Sequence, residues 1–340
     1  MNVAIAVDAM SGDRGPEVVV ESAMATLQRH GNLALLLVGD EARLRQALSH
    51  ASAVDPARLR IIHAAEVVTM HERPSAALRG KRNSSMRVAI DLVKNGEASA
   101  CVSAGNTGAL MAIARFILKT LPGIDRPAIC TALPGLTRPT HVLDLGANVD
   151  TTSEELFRFA VMGSVLVSAI DNTPSPKVAL LNVGEEEIKG SDTVKQTAAL
   201  LEASELNYVG FIEGNDIFSS KVDVIVCDGF VGNVALKASE GVAHLVKHVM
   251  REEFTRNPLA RLMAGVAAPV LRRVARRMDP RRYNGATFLG LRGSVVKSHG
   301  SADALSFGYA IEEAILEIEK KVPERISDLL EHLLVARKVD

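Results

Sequence analysis

Two stretches of this 340-residue chain repeat one arrangement of small and polar residues. Residues 102–112 read VSAGNTGALMA, and residues 226–236 read VCDGFVGNVAL. Each is an apolar strand, a small or acidic residue, a Gly-x-x-Gly loop and a helix start. Glycine lets backbone approach a ligand closely, and the free N–H groups of a helix start point at negative charge. Ser103, Gly105, Asn106 and Thr107 of one loop, with Asp228, Gly229, Gly232 and Asn233 of the other, therefore make a candidate anion cradle. The alternative is a pair of βα turns that need glycine only for tight geometry.

More loops of this kind follow apolar runs: Asp8 to Pro16, Asp144 to Asn148, Asn182 through Gly184 to Lys189 and Gly190, and Glu213 to Asp216. In an open parallel sheet such loops share the edge where ligands bind, so the expectation is one polar rim. Near the end of the chain, GLRGSVVKSHGSAD sets Lys297 and His299 beside a glycine at a strand-to-helix junction. A histidine there serves structure as readily as catalysis. The loops carry no GxxxxGK[ST] and no GxGxxG after the first strand, which sets aside the common nucleotide signatures. GxSxG and HExxH are also missing, so neither a serine-hydrolase elbow nor a zinc protease is indicated.

The elements that must position these loops are legible as alternating periods. Apolar runs at 3–8, 33–38, 59–63, 99–103, 128–133, 141–145, 177–183, 208–212 and 222–228 read as strands covered on both faces. Helical patterns fall at 16–30, 41–50, 74–95, 107–120, 153–170, 191–204 and 231–250, and residues 301–320 and 323–337 close the chain as helices. Strand-then-helix order implies a three-layer α/β unit on a largely parallel sheet. With no low-complexity linker, residues 1–340 read as one catalytic unit of two subdomains. The core is aliphatic, since tryptophan is absent and aromatics are 4% of the chain.

A net charge of −1 argues against the whole chain binding nucleic acid. Three separated cysteines without a CxxC point to a reduced, cytoplasmic protein. Residues 251–282 stand apart: nine arginines face three acids, with apolar residues at helical spacing that include Leu259, Leu262, Met263, Val266 and Val270. Pro269 is expected to kink or split this pattern. The segment reads as a basic amphipathic arm that packs against a twin, lies on an anionic membrane surface, or does both. A second basic block, MHERPSAALRGKRNSSM, carries Arg73, Arg79, Lys81 and Arg82. It is a solvated face or a contact for an anionic substrate or acidic partner.

VDAMSGDRGP, MHERPSAALRGKRNSSM, SAGNTGALM, LDLGAN, LLNVGEEEIKG and VDVIVCDGFVGNVALKASEG, in that order, resemble the bacterial phosphate acyltransferases of phospholipid synthesis. The resemblance spans essentially the whole chain. It implies a fold like isopropylmalate or isocitrate dehydrogenases and phosphotransacetylases, a homodimer, and peripheral association with the inner membrane. It implies transfer of a long-chain acyl group from acyl-carrier protein to inorganic phosphate, with the acyl phosphate passed to a membrane-embedded glycerol-3-phosphate acyltransferase. No cofactor or metal is implied.

Under that resemblance phosphate is its own nucleophile, and the protein need only hold it and stabilise the tetrahedral oxyanion. Lys189 and Asn233 are then candidates for oxyanion stabilisation or thiolate protonation, with Lys237 and His299 beside them. Phosphate and substrate fall to Ser103, Gly105, Asn106, Thr107, Asn148, Asn182, Gly184, Asp228, Gly229 and Gly232. Asp8 and Asp13 order neighbouring loops. The carrier protein docks on Arg73, Arg79, Lys81 and Arg82, or on the arm at Arg272 and Arg273. Rival readings are an NAD-dependent decarboxylating dehydrogenase on the same fold and a non-catalytic membrane-recruitment scaffold.

Overall fold

The computed structural model describes residues 3–49 and 55–339. The nine apolar runs all form strands: β1 (Val3–Asp8), β2 (Leu33–Gly39), β3 (Leu59–His63), β4 (Ala100–Ser103), β5 (Ala128–Leu133), β6 (Thr140–Leu143), β7 (Val178–Leu181), β8 (Tyr208–Ile212) and β9 (Val224–Val226). Two further strands of four residues, β10 (Ala286–Leu289) and β11 (Ser294–Lys297), pair as an antiparallel hairpin. Among the described residues one sheet runs in the order β3-β2-β1-β4-β11-β10-β5-β6-β9-β7-β8.

The helices are α1 (Pro16–Arg29), α2 (Glu41–Leu48), α3 (Pro74–Gly80), α4 (Ser85–Lys94), α5 (Thr107–Leu118), α6 (Ser153–Ile170), α7 (Asp192–Glu202), α8 (Gly229–Thr255), α9 (Pro258–Arg277), α10 (Ala304–Lys320) and α11 (Val322–Val339). Local chemistry sets several starts. Thr152 and Glu155 form a reciprocal capping box on α6. Ser84 caps α4 and so divides the single helix expected over 74–95.

Strand residues alternate between two layers. Ala6, Cys101 and Val295 pack with residues of α4 and α5, whereas Ile5, Val7, Val102 and Val296 pack with residues of α1 and α10. The same alternation continues across the sheet: Val142 and Ile225 lie with the first group, Leu143, Val224 and Val226 under α6. Helices therefore cover both faces, the three-layer arrangement expected from continuous apolar strands.

The shared rim does not survive. Pairing is antiparallel at β11–β10, β10–β5 and β5–β6 and parallel at the other seams. Strands β3, β2, β1, β4 and β11 therefore point one way, and β6, β9, β7 and β8 the other. The loop after β4 lies at one edge of the sheet and the loop after β9 at the opposite edge. They are also five strand spacings apart, roughly 24 Å. One small oxyanion cannot touch both strand ends, so the backbone cradle of Ser103–Thr107 and Asp228–Gly232 is corrected to two separate places, while Asn233 lies further along α8, one turn before Lys237. The sequence echo marks corresponding positions in two halves of opposite polarity.

Two local expectations also change. Gly229 and Gly232 are not loop residues but lie in the first turn of α8. Pro269 neither ends nor splits α9, which runs through it for 20 residues. Helix α8 runs on past Gly241, with residues 241–250 all exposed, and packs with α9 as a projecting hairpin. Among the described residues no helix is long and apolar enough to cross a membrane.

Candidate active site

Asp8, Ser103 and Lys297 are the last residues of three adjacent parallel strands, and they stand in one register row. Their neighbours Val7, Val102 and Val296 pack toward α1 and α10, so strand alternation turns all three toward the α5 side. The row lies where the chain leaves β1 for α1 on one face and β4 for α5 on the other. That divergence opens a crevice at the carboxyl edge, the usual ligand position in such sheets.

Buried polar contacts build the crevice floor. The Asp8 carboxylate accepts from Ser11 Oγ and, at 2.7 Å, from Ser103 Oγ. Its other oxygen has no hydrogen-bond partner although it is buried. Gly105 N–H donates to Ser103 Oγ at 3.1 Å, and Asn106 caps α5 by accepting from Ala109 N–H at 3.0 Å. The Asn106 amide donates to the Met70 and Glu72 carbonyls, which ties the 69–73 loop to the crevice. Thr107 and Gly108 at the start of α5 remain exposed. The third wall is the loop after β11: Asp13 N–H donates to Gly300 O at 2.8 Å, and Ser298 N–H to Ser103 O at 2.9 Å.

Two titratable groups are tuned by this setting. Lys297 is buried, donates to the Ser298 carbonyl, and is pushed down to about 8 by burial, against the pull of Asp13 and Asp8 and with help from Lys237. His299 is held below its usual value by burial, while Glu240 and Asp13 act against the shift and Lys297 and Lys237 reinforce it. Ser301 N–H donates to His299 Nδ1 at 3.3 Å. Nδ1 is thus an acceptor, so the neutral ring carries its proton on Nε2. Lys237 reaches this group although α8 starts at the far edge, because eight residues of helix advance it roughly 12 Å. Its ammonium meets Glu240 at 2.9 Å. The crevice therefore collects Ser103, Gly105, Asn106, Thr107, Lys237 and His299, and adds Lys297 and Asp8.

The other expected residues gather at the opposite edge. Asp144 accepts from Ile129, Ala147 and Asn148 N–H groups and from the Asn148 amide, and burial still raises its pKa. The start of α8 sits directly on this loop. A Cβ on Gly229 would lie 2.6 Å from Asn148 O, and one on Gly232 would overlap the Asp144 carbonyl oxygen. Gly229 N–H is spent on Asn148 O, and Val231 N–H on the Asp228 carboxylate. The two glycines are therefore packing residues, and the anion-cradle expectation for Gly229 and Gly232 is corrected. Asn182 and Gly184 form the turn around Lys189, whose exposed ammonium pairs with Glu186 at 2.8 Å. That hydrogen bond raises the Lys189 pKa. Lys189 thus stands on the loop after β7, and Asn233 stands in the second turn of α8 after the adjacent strand β9, one helical turn before Lys237.

Arg73, Arg79 and Arg82 are exposed around α3, and Lys81 is partly covered at its end. Arg272 and Arg273 are exposed on α9, as are Leu259, Leu262, Met263, Val266 and Val270. Among the described residues no cluster of His, Cys, Asp and Glu is arranged to hold a metal.

Comparisons agree with this architecture. A family model described as "Fatty acid synthesis protein" matches residues 3–325. A phosphate acyltransferase of Methylococcus capsulatus is 57% identical over 335 residues, covering 98% of this chain and 99% of that protein. Those of Alkalilimnicola ehrlichii and Legionella pneumophila are 58% identical over 99% of this chain and 98% of that protein, and 55% identical over 96% of each. Among solved structures, a phosphotransacetylase from Streptococcus pyogenes superposes with TM-score 0.63 at 17% identity over 94% of each chain. A branched-chain phosphotransacylase from Enterococcus faecalis gives 0.57 at 14% identity, over 93% of this chain and 99% of that one. At such identities the two structures speak for the fold alone.

Proposed function

The chain belongs to the phosphate acyltransferase family and is an acyltransferase, and from that premise we propose that it transfers a long-chain acyl group from acyl-carrier protein to inorganic phosphate. The reaction centre in this reading is the crevice along Asp8, Ser103 and Lys297. The observation that carries it is a buried lysine of lowered pKa beside an open helix start. The N–H groups of Thr107 and Gly108, with Lys297 and Lys237, hold the phosphate.

A phosphate oxygen attacks the thioester carbonyl carbon, and the tetrahedral oxyanion forms beside His299 Nε2–H. The carbon–sulfur bond then breaks. The proton lost by hydrogen phosphate balances the one gained by the leaving thiolate. Lys297, with a pKa of about 8, is suited to relay it. Asp8 keeps the lysine from losing its proton outright and anchors Ser11 and Ser103. Incubating the protein with palmitoyl-acyl-carrier protein tests the reading. Free carrier thiol and a hydroxylamine-reactive acyl phosphate must appear together, and only when orthophosphate is present.

A second placement of the chemistry rests on Lys189 and Asn233. Lys189 is exposed, protonated and on the loop after β7, and Asn233 is in α8 after the adjacent strand β9. In that placement the ammonium meets the oxyanion at the far edge. The apolar stripes of α8 and α9, exposed from Val242 to Val274, are too extensive to stay bare. We assign them to packing against a second copy, with Leu259, Leu262, Met263, Val266 and Val270 reaching an anionic membrane. The enzyme then works in the cytoplasm against the inner membrane, delivering acyl phosphate to a glycerol-3-phosphate acyltransferase embedded there.

A further inference from the structure

Helices α3 and α5 bound a shallow groove of about 450 Å3 lined by Leu78, Ala112, Arg115, Phe116, Lys119 and Thr120. Its floor is an aromatic ring left in water: Phe116 is 53% exposed. Two cations stand over that ring, Lys119 Nζ at 4.9 Å and the Arg87 guanidinium at 5.8 Å from its centre. Arg115 completes the charge. Its guanidinium donates to the backbone carbonyl of Asp125, whose carboxylate is taken by Arg158. Among the described residues neither Arg115 nor Lys119 has an acidic partner, and Arg87 has only a loose one, Asp91 at 3.7 Å. An apolar ring flanked by Arg115 and Lys119, two cations without acidic partners, suits an acidic amphipathic helix, which brings carboxylates to the rim and an aliphatic side chain to the ring.

The groove is also joined to the reaction centre. Helix α5 begins at Thr107 in the crevice, and Lys119 lies twelve residues along, roughly 18 Å away. Helix α3 begins beside it, its Pro74 ring against Gly108. A substrate whose thioester hangs on a flexible prosthetic arm needs this layout, with protein docked at one end and the reacting carbon at the other.

Resting on the acyl-transfer reading above, we propose that the Arg87–Arg115–Phe116–Lys119 groove is the docking surface for the acidic helix of the acyl-carrier substrate. This places docking beyond the Arg73–Arg82 block and away from the arm at Arg272 and Arg273.

Steady-state kinetics with palmitoyl-acyl-carrier protein, and with palmitoyl-pantetheine, which has no acidic helix, test the proposal. R115E/K119E should raise KM for the carrier substrate at least tenfold, R115Q/K119Q by a smaller factor, and F116A about threefold. The loss in kcat/KM should be several-fold steeper for the carrier than for the pantetheine thioester. Raising ionic strength should weaken carrier binding in the wild type and less so in R115Q/K119Q. An unchanged KM, or equal losses with both donors, overturns the proposal. So does a carrier KM that responds to R272E/R273E instead, or a defect of R115E/K119E confined to anionic vesicle binding. A wild-type protein that makes no acyl phosphate from either donor would contradict the functional reading itself.

Discussion

Asp8 and Lys297 end two strands that flank β4 in register, so an acid and a cation face one crevice from either side of Ser103. Their backbones are two strand spacings apart, roughly 10 Å. At that distance the carboxylate stabilises the ammonium without neutralising it in a direct pair. Burial pulls the lysine down and the acids pull it back, leaving it near 8. In the proposed reaction, that balance gives a cation that holds phosphate and still yields a proton at physiological pH.

The first prediction concerns pH. The Lys297 pKa lies below its ordinary 10.5, so the crevice needs pH below about 8 to keep the cation. The kcat/KM profile, which reports the free enzyme, should fall as pH rises through that value. K297M should lower kcat on the order of 100-fold or more. The sign for stability is opposite. Below pH 8 the folded state must hold a proton that burial disfavours, at a cost of up to about 3 kcal/mol. K297M should therefore keep or raise Tm at pH 7 while activity collapses. Equal loss of both would assign the residue a purely structural role.

Asp8 acts on the same limb. Its charge raises the Lys297 pKa, so D8N should move the alkaline limb of kcat/KM to lower pH. The hydroxyls of Ser11 and Ser103 lose a charged acceptor, which should also cost roughly 1–3 kcal/mol in thermal unfolding. A limb that stays in place would show that Asp8 anchors loops and nothing more.

Strands and helices were legible because each strand of a doubly covered parallel sheet is a continuous apolar run. Val3–Asp8 and Ala128–Leu133 form with the bounds read from sequence. The strand-to-helix junction read before His299 corresponds to β11, but β10 is not among the apolar runs read as strands, because four residues carry little periodicity and its other partner, β5, is far away in the chain. Missing β10 hid the reversal of direction at β11–β10–β5–β6. A βαβ pattern specifies the hand of each crossover, not which half meets which, so loops of opposite edges were merged. The sequence sets His299 as a candidate beside Lys297, and the structure places both at the crevice. Their company with Lys237 was invisible, since it depends on the path of α8. Pro269 does not split α9 because, on an exposed arm, a carbonyl left without its helical donor can turn to water.

Glycine in the first turn of α8 should prove structural. G232A puts a methyl group where the Asp144 carbonyl already lies. The helix must shift, at roughly 1–3 kcal/mol, seen as a lower Tm and earlier exchange of α8 amides. A G232A protein with wild-type Tm but weakened phosphate binding would restore the cradle reading.

The arm makes a separate prediction. Leu262 and Val266 are exposed one turn apart on α9. L262E/V266E removes two apolar contacts and adds two charges that anionic lipid repels, so partition onto phosphatidylglycerol vesicles should drop at least tenfold. Undiminished partition would reject membrane contact through this face.

The position of the ion decides the central claim. In crystals soaked with orthophosphate, the account predicts density against Lys297 Nζ and the N–H groups of Thr107 and Gly108, within hydrogen-bonding distance of each, and its loss in K297M. Phosphate bound instead between Lys189 and Asn233, with the crevice beside Ser103 holding only water, would contradict it.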